Sequence, residues 1–205
     1  LLLLKSSEYG ENYSEVTCHG GSFARYGDPA YSEAAQVVDT YYMNLFSIGY
    51  PTLTANYAHG AYKISSTANN FVNSTMDYVL KNMLQREGAD AGISISNRVV
   101  SEKIDIDVEV WSASTQDYKV AVWVLENNIS SPNQKGATLP EHKVYNHALR
   151  YIATHYTSSD ISGDPLGTIA NKRKAYRNFE VALDNTWARE NLEILVIVSS
   201  PDEFG

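Results

Sequence analysis

Two hydrophobic periods divide the chain. Up to about residue 87, apolar side chains recur at intervals of three and four; after Gly88 they alternate every second residue. In the first part, residues 13–21 read as a short strand closed by Gly20 and Gly21. Residues 28–46 read as a helix, with Asp28 at its N-cap and Pro29 in its first turn. Ala34, Val37, Val38, Tyr41 and Leu45 fall on one face of that helix. Residues 52–57 predict a strand, and residues 59–66 a turn with a short strand. Residues 66–88 predict a second helix with the stripe Val72, Met76, Val79, Leu80, Met83 and Leu84, stopped by Gly88.

The second part reads as antiparallel sheet. Ile104, Ile106, Val108 and Val110 alternate with Lys103, Asp105, Asp107 and Glu109, as in a strand with one wet face. Val120, Val122 and Val124 face away from Ala121 and Trp123. Residues 90–100, 176–183 and 191–200 follow the same rule, and residues 144–156 read as one long strand. Several such strands separated by Asn, Ser, Gly and Pro turns predict a sandwich. The expected organisation is an α/β unit over 1–87 and an all-β unit over 88–205, each with its own core.

Composition adds limits. Of 205 residues, 43% are hydrophobic and 20% charged, a globular balance. Sixteen basic against 24 acidic residues give −8, which argues against a nucleic-acid partner because phosphate binding needs a basic stripe. The longest basic run, Lys172-Arg173-Lys174, reads as a solvated strand edge. The opening Leu1–Leu4 run is too short to span a bilayer and lacks the flanks of a signal peptide. It reads as the exit of a helix, which suggests a chain extending further upstream.

Few residues suggest chemistry. Cys18 has no second cysteine to pair with. It adjoins His19, but strand neighbours point to opposite faces, so Cys18 is expected to be a buried, inert thiol. Neither the five histidines nor Asp160 and Asp164 in the loop 158–167 show a metal-binding spacing. The loop reads as a turn held by Asx hydrogen bonds. No catalytic residue, cofactor or metal is assigned. Fifteen tyrosines stand out. Tyr26, Tyr31, Tyr57 and Tyr62, with Tyr41 and Tyr42, either line a binding surface or fill the seam between the two units. The acidic row Asp105, Asp107 and Glu109 reads as a solvated face.

Pro51 precedes the strand at 52–57, where spacing alone favours a trans strand-entry proline. The order strand, helix, Gly49-Tyr50-Pro51-Thr52, strand, helix resembles the later part of a thioredoxin-like fold, and that resemblance makes Pro51 the cis-proline. The motifs "VWVLENNI", Gln134, "YNHALR" (Tyr145 to Arg150), Gly163-Asp164 and "FEVALDNTWARENLEILVIVSS" occur in an order similar to the Omp28 family, outer-membrane lipoproteins of Bacteroides-type bacteria. The resemblance implies an incomplete thioredoxin-like domain followed by an immunoglobulin-like sandwich. It also implies lipid anchoring at the cell surface through residues outside this chain, and a non-catalytic binding or adhesion role toward a protein or glycan. The alternative is a thiol–disulfide oxidoreductase whose CxxC lies upstream. Within "YNHALR", Tyr145, Asn146, His147 and Arg150 are expected to tie sheet to loop or sandwich to the preceding unit.

Overall fold

A computed structural model describes residues 14–46, 53–55, 62–64, 78, 81–82, 89–132 and 138–200. Its elements run in chain order as a helical turn α1 (Gly21–Ala24), helix α2 (Glu33–Phe46), and short strands β1 (Leu53–Ala55) and β2 (Tyr62–Ile64). The long strands β3 (Ala91–Val100), β4 (Lys103–Ser112) and β5 (Gln116–Glu126) follow, then the two-residue strands β6 (Ile129–Ser130) and β7 (Val144–Tyr145). Strands β8 (Ala148–Ile152), β9 (Asp164–Ile169), β10 (Lys174–Ala182) and β11 (Leu192–Ser199) complete the series.

The long strands form two antiparallel sheets. One has the order β10-β4-β3; in the other β5 lies between β11 and the β8/β9 pair. Their inner faces close on one apolar cluster. Ile104, Ile106, Val108 and Val110 of β4 meet Val120, Val122 and Val124 of β5, all at most 3% exposed. Burying a Val or Ile side chain of this kind contributes about 1.5–3 kcal/mol. The period of two along these strands therefore does what the sequence predicts.

The two-core expectation needs correction. The outer face of β5 and β8 is not solvated. Ala34, Ala35 and Val38 of α2 pack there against Ala121, Trp123, Leu125, Leu149, Ile152 and Ile161. An apolar cluster is thus shared across residue 88, and β5 is buried on both faces over most of its length. The helix also presents a different face from the expected one. Ala35 replaces Val37 in the buried stripe, and Leu45 is 50% exposed.

The cap differs too. Ser32, not Asp28, accepts the Ala35 amide hydrogen at 3.0 Å, and the Ser32 hydroxyl donates to the Leu149 carbonyl at 2.6 Å. Asp28 instead closes its own turn, accepting from the Ala30 amide at 2.8 Å. The helix starts at Glu33 because a Ser side chain satisfies one orphan amide there and anchors the helix to the sheet.

Two expected strands are also corrected. Of the expected strand 13–21, the described residues 14–20 give only an isolated parallel bridge, Thr17 to Ala148, and Gly21 already opens α1. The stretch 144–156 is broken between β7 and β8, where His147 takes φ +52°. In the 66–88 segment, Tyr78, Lys81 and Asn82 are helical, while its predicted apolar stripe and Pro51 lie outside the described residues. Among the described residues no helix is long and apolar enough to cross a membrane.

Candidate functional site: the outer face of the three-stranded sheet

Sheet register builds this face row by row. Side chains directly opposite on adjacent antiparallel strands share a face. Lys174 pairs with Trp111 and Trp111 with Gly92; Tyr176 pairs with Glu109 and Glu109 with Ser94. Asn178, Asp107 and Ser96 make the third row, and Glu180, Asp105 and Arg98 the fourth. The β3 column is thus small or hydroxylated in its first three rows. Trp111 lies diagonally across from Tyr176, and these aromatics are 37% and 63% exposed. A shallow groove of about 360 Å3 crosses the face, lined by Ser94, Ser96, Asp107, Glu109, Tyr176 and Asn178 among others.

The polar side chains are fixed. Lys174 Nζ donates to Glu109 Oε1 at 2.5 Å, and the Asn178 amide donates to Asp107 Oδ1 at 2.8 Å. Arg98 Nε donates to Asp105 Oδ2 at 3.0 Å. Hydrogen bonds from Lys174 and then Tyr176 hold the Glu109 carboxyl below its usual range. The same bonds to Glu109 raise the Tyr176 hydroxyl and the Lys174 ammonium. The acidic row is therefore more than the solvated face expected from sequence, since each carboxylate is held from a neighbouring strand. Exposed pairs like these contribute little stability; what they supply is fixed orientation.

The residues of "YNHALR" are brought together elsewhere, at the joint between the sheet and residues 15–31. Arg150 Nε donates to Glu126 Oε2 at 2.6 Å, with side chains only 9% and 5% exposed. Its Nη1 donates to the Pro29 carbonyl at 2.8 Å. The Asn146 carbonyl accepts from the Thr17 hydroxyl at 2.8 Å, and Asn146 Oδ1 accepts from the Asn128 amide at 3.0 Å. His147 Nδ1 lies 2.9 Å from Glu193 Oε2. The Tyr145 ring packs on His19, centroids 4.1 Å apart. Nothing in the residue pattern singles out Glu126, a carboxylate buried at a strand end that also accepts from the Ala188 amide at 2.8 Å.

Of the tyrosines expected at a surface, Tyr26 and Tyr31 flank α2 on its N-terminal side. Tyr26 is 84% exposed in the turn after α1. Tyr31 is half-buried and donates to Glu33 at 3.3 Å. Tyr62 lies in β2, and Tyr57 lies outside the described residues. Tyr41 and Tyr42 pack beside the cluster under α2.

Cys18 is exposed rather than buried. Its thiol is nevertheless pushed up to about 12, first by the desolvation the surrounding protein imposes and then by the Asp39 carboxylate. Such a thiol stays protonated at neutral pH and is a poor nucleophile. His19 is engaged by Asp28 at 2.8 Å. Among the described residues, no cluster of His, Cys, Asp and Glu is arranged to hold a metal.

The family profile described as "Outer membrane protein Omp28" matches residues 38–203, most of the chain. The protein belongs to the Omp28 family. That family is one of outer-membrane proteins, and the outer membrane is where this Omp28 chain belongs. Among solved structures it is similar to HBP35 of Porphyromonas gingivalis, with a TM-score of 0.54 at 15% identity. The match covers 80% of this chain but 51% of HBP35, so the Omp28 chain spans about half the length of that protein. A protein from Agrobacterium tumefaciens aligns with a TM-score of 0.45 and 13% identity over 88% of this chain and 69% of its own. No curated protein matches the sequence.

Proposed function

We propose that this Omp28-family chain is a non-catalytic binding module of the outer membrane, and that the outer face of the β10-β4-β3 sheet is its contact surface for a neutral glycan. The observation that carries the reading is the pair Trp111 and Tyr176, both exposed on one flat face beside fixed Glu109, Asp107 and Asn178. Sugar rings present C–H faces that stack on aromatic rings. Their hydroxyls need acceptors and donors held in place, which the carboxylate and amide rows supply. Small residues at 92, 94 and 96 leave room along β3. The reading includes lipid anchoring through residues outside this chain and an immunoglobulin-like class for the sandwich. It also includes a thioredoxin-like origin for the first part, with Pro51 as its cis-proline.

A glycan array probed with the purified chain, wild type against Trp111→Ala and Tyr176→Ala, tests this. Expected is a set of bound glycans lost in both variants, with unchanged thermal stability. Binding that survives both substitutions, or confinement of binding to protein partners, overturns the glycan assignment.

A further inference from the structure

The β3 strand carries a second surface, distinct from the face above. It is the outer edge of its sheet, with β4 as its strand neighbour among the described residues. Which of its backbone groups are free follows from one bond. The Ala113 amide donates to the Asp90 carbonyl at 2.8 Å, extending the β3–β4 register by one pair. In an antiparallel ladder, residues of one parity bond to one neighbour and those of the other parity face the opposite side. The even residues of β3 therefore bond to β4. The amides and carbonyls of Ala91, Ile93, Ile95, Asn97 and Val99 point out of the sheet edge.

These odd residues are also the ones whose side chains face the sandwich interior, opposite Val110, Val108, Ile106 and Ile104. Yet Ile93, Ile95 and Val99 are 42%, 41% and 57% exposed. A regular edge of ten residues thus offers a row of backbone groups without a strand partner among the described residues, beside a row of exposed apolar side chains. Among the described residues, most of the devices that protect sheet edges are missing from β3. The strand has one charge, Arg98, and no proline, and its pairing with β4 runs without a register shift. The opposite edge differs. In β10, Arg177 occupies an inward-facing position opposite Val108 and remains exposed, a charge that discourages strand addition.

We infer that β3 pairs antiparallel with β3 of a second copy, joining two three-stranded sheets into one of six. The strand complements itself about Ser96. Ile93 then faces the partner's Val99, Ser94 faces the partner's Arg98, and Ile95 faces the partner's Asn97. Apolar positions gain apolar or amide neighbours on the inner side, and the only charge of each strand meets a hydroxyl on the outer side. Like charges are not brought opposite one another, so nothing in the strand opposes self-pairing.

Analytical ultracentrifugation of the 205-residue chain tests this, together with amide hydrogen exchange at low and high concentration. The expected result is a dimer whose dissociation on dilution deprotects the amides of Ile93, Ile95, Asn97 and Val99. The even amides stay protected by β4. Asn97→Pro removes one outward donor without touching the β4 ladder, and Ile95→Lys places a charge on the uncovered row; each should give a monomer with an unchanged circular dichroism spectrum. A monomer at all concentrations overturns the inference, as does a dimer that persists in both variants. Protection of the odd amides in a strict monomer also overturns it, because another strand would then occupy the edge.

Discussion

The Arg150 guanidinium meets the Glu126 carboxylate at 2.6 Å, and both side chains are almost withdrawn from water. The carboxylate's other oxygen accepts from the Ala188 amide, and the guanidinium also reaches the Pro29 carbonyl. One ion pair thus ties the end of β5, β8, the loop before β11 and the segment ahead of α2. Removing one partner strands a buried charge, which costs about 3–5 kcal/mol. Arg150→Met and Glu126→Leu are each expected to lose that much in urea unfolding. The double variant should recover part of the loss.

Gly163 is the second sensitive point. Its φ is +88°, and a Cβ there would lie 2.0 Å from the Val120 carbonyl oxygen and 2.8 Å from the Ala121 Cα. Backbone on β5 cannot swing aside as a long side chain could. Gly163→Ala is therefore expected to destabilise by more than about 2 kcal/mol, through strain at a special backbone angle combined with overpacking. Gly167 also has positive φ but open space around it. The thermal midpoint of Gly163→Ala should fall well below that of Gly167→Ala.

Tyr118 joins three segments through its buried hydroxyl. That oxygen lies 2.7 Å from Ser112 Oγ, accepts from Gln116 Nε2 at 2.5 Å and donates to the Asp90 carbonyl at 3.1 Å. Tyr118→Phe keeps the ring in the core but removes these contacts; the Asp90 carbonyl still accepts from the Ala113 amide and Ser112 Oγ still donates to the Ser114 carbonyl, so the expected cost is about 0.5–1.5 kcal/mol. The loss should appear in equilibrium unfolding, with exchange at the amide of Ala113 accelerated.

Acid should weaken the fold through identifiable carboxylates. At Asp160 partial burial raises the pKa, but hydrogen bonds from Ser162 and the Lys119 ammonium outweigh it and leave the carboxyl below its ordinary value. Thr186 lowers Asp184, through its side chain and then its amide. Lys174 and then Tyr176 lower Glu109. A carboxyl depressed in the folded state binds fewer protons there than in the unfolded chain. Its stabilisation is complete above the ordinary values of 3.8 for Asp and 4.5 for Glu and is lost as pH falls through the folded values. The urea midpoint should hold from pH 7 to 5 and drop below about 4. Asp160→Asn should flatten that drop; an unchanged acid limb would show that this carboxyl does not take part.

By itself, the sequence determined the sandwich. Alternation at Ile104–Val110 and Val120–Val124 leaves no other way to bury those side chains, because a period of two puts them all on one face of a strand. It also determined the Asx turn at Asp160, where the Ser162 amide donates to Asp160 Oδ1 at 2.8 Å, since that bond closes within two residues. Order and spacing of motifs were enough to point to the Omp28 family. What only the tertiary structure decided involves partners distant along the chain. Helix α2 turns Ala35 rather than Val37 inward because the outer face of β5 and β8 selects the face that fits. Glu126 is buried because Arg150 reaches it across the sheet. Trp111, Glu109, Tyr176 and Asn178 become one surface only through the register of β4 with β10. Local pattern fixes which way a side chain points, whereas long-range packing decides what it meets.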